Sequence, residues 1–165
     1  MRAGSTVGRA TNMLLVNNRF AARSQTFEDQ PVLRVFGDST TVRGNRGLYS
    51  LEVTGRDNRV AGNQARTLSS FAYDSEFRAN RAGELDITGH SSCYLANTAS
   101  YVIVRGHGNR IESNRFETLP DTPARMGIRF LGSSNTLAHN VMWREVTSVE
   151  GTRGNDIRDN LFMGG

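Results

Sequence analysis

An apolar residue, two others, then Asn recurs eight times: Leu15/Asn18, Val42/Asn45, Val60/Asn63, Phe77/Asn80, Tyr94/Asn97, Ile111/Asn114, Leu137/Asn140 and Ile157/Asn160. The Asn spacings are 27, 18, 17, 17, 17, 26 and 20 residues. A second column, mostly glycine, sits upstream in each unit: Gly37, Gly55, Ala72, Gly89, Gly106, Gly132 and Gly151. Before it come alternating apolar pairs, Leu33/Val35, Leu51/Val53, Leu85/Ile87, Val102/Val104 and Ile128/Phe130. Alternation with period two is a strand signal, and a short repeat built of such strands is a solenoid signal. A unit this short cannot bury its own apolar face, so stacked units must share one core.

The expectation is therefore an all-β fold, a single-stranded right-handed parallel β-helix (solenoid) of about seven to eight coils, spanning residues 1–165 as one domain. Asn tolerates left-handed backbone and its amide can bond along a stack, which predicts an Asn ladder at one corner. The glycine column predicts a second corner. The stretch "RGHGNRIESNRF", Arg105 to Phe116, contains Asn109, Ile111, Asn114 and Phe116 as repeat positions. Arg105 and His107 are left for function. His139, just before a ladder Asn, reads as structural, and Trp143 reads as partly core.

Composition adds limits. All 20 basic residues are Arg, and the net charge is +4. The arginines are scattered, so acidic polymers are plausible partners while no specific nucleic-acid signal exists. Cys93 is the one cysteine and excludes an internal disulfide. The first residues hold only a four-residue apolar run, too short for a signal peptide or a membrane span. The repeat runs from Leu15 to Phe162 with no amphipathic capping helix, which predicts incomplete or partner-covered ends and self-association.

If the alternating pairs point inward, their neighbours point outward. Three outward columns follow: Arg34, Glu52, Ser69, Asp86, Ile103, Arg129, Ser148; then Phe36, Thr54, Phe71, Thr88, Arg105, Leu131, Glu150; then Asp38, Arg56, Tyr73, His90, His107, Ser133, Thr152. Aromatic, acidic, Arg and His side chains on one flat face suit a sugar polymer. The plainer reading is a solvated outer surface, and a one-residue slip would turn Phe71 and Tyr73 inward. Two long units, Ala21 to Pro31 and Glu117 to Gly127, fall at one place in the repeat and should flank one trough of about four rungs, ~19 Å.

"VIVRGHGNRIESNRF" followed by "GIRFLGSSNTLAHNVM" resembles the chondroitinase B and alginate lyase family of parallel β-helix polysaccharide lyases, across residues 83 to 142. That family carries an Arg-His-Gly-Asn-Arg run and then a Gly-Ile-Arg strand; here Gly106 separates Arg105 from His107. The resemblance implies β-elimination on a uronate polymer, with Glu84 and Asp86 holding Ca²⁺ and Arg105 assisting departure. The family's Lys has no counterpart, and His90, nearest that place, becomes the candidate base. Phe71, Tyr73, His107 and Arg129 complete the candidate surface as substrate-binding residues. The alternative is a non-catalytic structural or interaction β-helix, as in a spike, fibre or spacer.

Overall fold

In a computed structural model the chain forms a parallel β-solenoid of about seven turns. The structure describes residues 4–7, 11–21, 30–117, 119, 127–142, 148–149 and 153–163, and among these there is no helix. Trp143, Glu150, Gly151, Thr152 and most of both long units lie outside the described residues.

Every strand pair is parallel, and each turn contributes to two sheets. The short sheet stacks three-residue strands, among them Thr41–Arg43, Arg59–Ala61, Glu76–Arg78, Cys93–Leu95 and Arg110–Glu112. Only the middle residue of each points in: Val42, Val60, Phe77, Tyr94 and Ile111 are all at most 1% exposed. The long sheet stacks Val32–Phe36, Leu48–Arg56, Gln64–Tyr73, Arg81–Ile87 and Thr98–Val104. It bends where the pairing skips a residue, at Tyr49, Arg66, Gly83 and Ser100. All five predicted apolar pairs are buried. At a typical 1.5–3 kcal/mol per fully buried large side chain, stacking Phe77, Leu85 and Ile87 from one turn under the next is the main driving force.

One turn departs from the apolar pattern. Ser70 takes an inward place beside Leu68, and it is fully buried. The Tyr94 hydroxyl donates to its Oγ at 2.7 Å, while the Tyr94 ring stacks on Phe77 with centroids 4.8 Å apart. A large ring and a small hydroxyl thus fill the space two aliphatics fill elsewhere.

The Asn ladder runs unbroken through Asn18, Asn45, Asn63, Asn80, Asn97, Asn114, Asn140 and Asn160, each Nδ2 donating to the next Oδ1 at 2.8–3.0 Å. The turn itself is made one residue earlier than expected. Asn17, Gly44, Gly62, Ala79, Ala96, Ser113, His139 and Asp159 carry the positive φ, from 52° to 66°. The ladder Asn must keep its side chain inside to reach its neighbour, so the preceding residue takes the left-handed conformation. His139 is thereby a corner residue. The second corner is likewise offset: its left-handed residues are Ser39, Asp57, Asp74, Ser91, Gly108, Ser134 and Gly154. Gly37, Gly55, Ala72, Gly89, Gly106 and Gly132 lie two residues before the first six of these, and the glycines there serve close backbone approach. A Cβ on Gly106 would stand 1.7 Å from the Gly89 carbonyl oxygen.

The register also settles where the long units enter. Phe116 pairs with Ala99 and Gly127 with Tyr101, while Arg19 bridges Arg46 and Val32 pairs with Ser50. Both long units are therefore inserted between the Asn corner and the next strand, as expected, and the insertion point falls at the bend of the long sheet. In the last described turn the core positions Ile157 and Phe162 are 40% and 49% exposed.

Candidate functional site

The outer face of the long sheet and its continuation carry Phe71, Tyr73, Glu84, Asp86, His90, Arg105, His107 and Arg129. Register pairs Arg34, Glu52, Ser69, Asp86, Ile103, Arg129 and Ser148 in one column. Phe36, Thr54 and Phe71 form the next, continued by Thr88, Arg105 and Leu131 through rung-to-rung backbone bonds. No slip occurs: Phe71 and Tyr73 are 45% and 40% exposed. Glu84 lies in a further outward column, between Thr67 and Tyr101.

Two groupings emerge on this face. The first is electrostatic. The Arg105 guanidinium donates to the Asp86 carboxylate in the rung below, and Thr88 Oγ1 donates to the same carboxylate at 3.3 Å. Arg105 is thus held by a neighbour rather than projecting freely. Glu84 and Asp86 bring two carboxylates, four oxygens, where Ca²⁺ takes six to eight, and Arg105 already binds one oxygen of Asp86. Among the described residues no group of three or more His, Cys, Asp or Glu lies together.

The second grouping is a stack along the solenoid axis. The Arg56 guanidinium lies 5.7 Å from the Tyr73 ring centroid, Tyr73 lies 5.2 Å from His90, and His90 lies 4.1 Å from His107 with rings 20° from parallel. The four residues occupy four successive rungs of one column. Parallel strand spacing of ~4.8 Å matches aromatic contact, so identical register is enough to build the row. The Nδ1 of His90 accepts the His107 backbone N–H at 3.1 Å. That bond places the proton of neutral His90 on Nε2. Partial burial, and then the charge of His107, hold the His90 pKa below its ordinary value. His90 therefore presents a hydrogen-bond donor at neutral pH, and the Thr88/Arg105 column separates it from Asp86.

Sequence reasoning missed the second ladder. Thr40, Asn58, Ser75, Ser92, Asn109, Asn135 and Asn155 stack at the other corner, each side-chain oxygen beyond Thr40 accepting the backbone N–H of the residue below. A small polar residue two places before each inward residue of the short sheet was the available signal. Asn109 belongs here, and its role is structural.

The fold and surface define a class, a parallel β-solenoid with one mixed aromatic and charged face. No family profile, curated protein or solved structure matches this chain. Among the described residues no helix is long and apolar enough to cross a membrane.

Proposed function

We propose that this solenoid binds an extended acidic polysaccharide along the outer face of its long sheet, without turnover. The observation that carries the reading is the Arg56–Tyr73–His90–His107 row beside exposed Phe71. The stacked row turns ring edges and polar groups outward, so half-exposed Phe71 offers apolar contact to a sugar ring, while Arg56, Arg129 and the Nε2–H of His90 donate to hydroxyls and carboxylates. Binding to a uronate polymer such as polygalacturonate or alginate, followed by calorimetry, tests it. Tyr73→Ala with His90→Ala should weaken binding at least tenfold while circular dichroism keeps its strand spectrum. Unchanged binding in that variant sinks the reading.

The lyase chemistry suggested by the family resemblance would place Arg105 and His90 in catalytic roles and Ca²⁺ on Glu84 and Asp86. It requires His90 to free its Nδ1 from the His107 N–H, and the chain has no Lys to serve instead. An unsaturated, ultraviolet-absorbing product, lost in Arg105→Ala and on chelation, would replace the binding reading with an enzymatic one. The alternative, a structural or interaction β-helix, predicts concentration-dependent end-to-end association through rungs such as that of Ile157 and Phe162, with no sugar bound.

A further inference from the structure

We infer that the solenoid carries a second site, a basic track on the near side of the bend, which takes the carboxylates of an acidic oligosaccharide. It goes beyond the outer face described above, although the choice of ligand class rests on that reading. The track consists of two adjoining cavities that share Gly47 and Gln64. One, of about 300 Å³, is lined by Arg66 and Arg81; the other, of about 650 Å³, is lined by Arg19 and Arg46. Among the described residues neither is lined by a carboxylate.

The register explains the alignment. Arg19 bridges Arg46 across one rung, Gln64 donates its backbone N–H to Asn45 O in the next, and Gln64 pairs with Arg81 in the one after. Their side chains leave the same flank of the stack. Arg66 starts from the bend itself and lies 5.3 Å from the Tyr49 ring centroid, which holds the guanidinium in place. All four arginines are exposed, and none forms an ion pair with a described carboxylate. The contrast is with Arg34, Arg105, Arg110, Arg115 and Arg158, each of which has an acidic partner. Four uncompensated guanidinium groups along one flank repel each other unless an anion lies between them.

The class of anion follows from the rest of the lining. Gln64 and Gln30 offer amide groups that both donate and accept, the pattern that meets sugar hydroxyls. Gln30, beside the strand Val32–Phe36, and Leu119 also line the smaller cavity. Its volume is at the lower end of the roughly 300–1,000 Å³ usual for small-ligand sites. A nucleic acid would need open aromatic faces for base stacking. Among the described residues the track holds two aromatic rings: Tyr49 is covered by Arg66, and Phe20 packs against the core. Guanidinium forks aimed at uronate carboxylates satisfy the charges directly.

The test is a titration with tetragalacturonate, followed by nuclear magnetic resonance of the arginine Nε–H groups. Arg66 and Arg81 signals should shift, and Arg66→Gln with Arg81→Gln should raise the dissociation constant at least tenfold. Tyr73→Ala with His90→Ala should leave those shifts in place. The inference is overturned if the arginine variant binds as tightly as the parent. It is overturned, with the outer-face reading left standing, if only the Tyr73/His90 variant loses binding. Equal affinity for neutral galactotetraose removes the role of charge. A single-stranded oligonucleotide of matched charge, bound more tightly through the same signals, replaces the sugar with nucleic acid.

Discussion

The two corners of the solenoid solve one problem with different chemistry. At the first, Asn succeeds Asn over eight rungs, and each interior member is fully bonded. Asn97 shows the pattern. Its Oδ1 accepts the backbone N–H and Nδ2 of Asn80, and its Nδ2 donates to Asn114 Oδ1 and Phe77 O. At the second corner Thr, Asn and Ser are mixed, and among the described residues the amide-to-amide bonds exist only where Asn109, Asn135 and Asn155 follow one another, at 3.1 and 3.3 Å. Where Asn58 meets Ser75, the Asn58 Nδ2 is buried with no partner. The first corner is held by side chains. The second relies more on backbone packed against backbone at the glycine column.

The sharpest way to break this contrast is to remove one member of the full ladder. Asn97→Ala orphans groups on both neighbouring rungs, Asn80 below and Asn114 above, together with the Phe77 carbonyl. Buried groups left unbonded cost about 1–3 kcal/mol each, so a loss of about 3–5 kcal/mol is expected in urea unfolding. A loss below ~1 kcal/mol would mean that water or a neighbour repairs the gap.

The glycine column should respond next most strongly. At Gly106 a new Cβ would meet the Gly89 carbonyl oxygen at 1.7 Å and Asn109 Nδ2 at 2.9 Å. Both are fixed, one by backbone and one by the ladder. Gly106→Ala should cost about 1–3 kcal/mol or more by overpacking. Ala72 holds the equivalent place where the strand Gln64–Tyr73 runs straight on to Tyr73, and there the Cβ is accommodated in the core. Replacing Ala72 with Gly should therefore lose stability too, through the missing methyl and greater chain freedom, by about 1 kcal/mol.

A smaller effect belongs to Asn58. Asn58→Ser keeps an oxygen to accept the Thr40 N–H, as Ser75 and Ser92 do for their neighbours. It also removes the unpaired Nδ2. The change should be neutral or stabilising by up to about 1 kcal/mol. A loss as large as that of Asn97→Ala would show that both ladders carry equal weight.

These corners also mark how far the sequence could be read. The inward residues and the Asn column were legible because each repeats one residue type, or one class, at a fixed offset. The left-handed residues were not, since Asn17, Gly44, Ala79, Ser113, His139 and Asp159 share no side-chain chemistry. Their conformation is imposed by the ladder Asn that follows. The second ladder was hidden because any small hydroxyl or amide serves it. On the surface, alternation was enough to align Tyr73, His90 and His107, but not to foresee that Arg105 is tied to Asp86 or that His90 accepts from the His107 backbone. The basic track escaped notice because Arg46, Arg66 and Arg81 stand in different rungs and only stacking brings them to one flank.

The least disruptive probe of the outer face is the titration of His90. Its pKa lies below the ordinary 6.5, first because it is partly buried and second because His107 faces it. Protonation would also remove the Nδ1 lone pair that accepts the His107 N–H. The groups around it are Tyr73 and Arg56 from the rungs below and His107 from the rung above. The folded state therefore binds this proton less readily than the unfolded chain does. Between the unfolded value near 6.5 and the lower folded value, the unfolded chain holds more protons, so stability falls as pH falls through that window. Following the His90 Cε1–H signal by nuclear magnetic resonance should give a midpoint under 6.5, and His107→Ala should move it upward without restoring it fully, because burial remains. A midpoint at or above 6.5 in the parent would mean that the stacked row is not formed in solution, and with it would go the surface on which the sugar-binding reading rests.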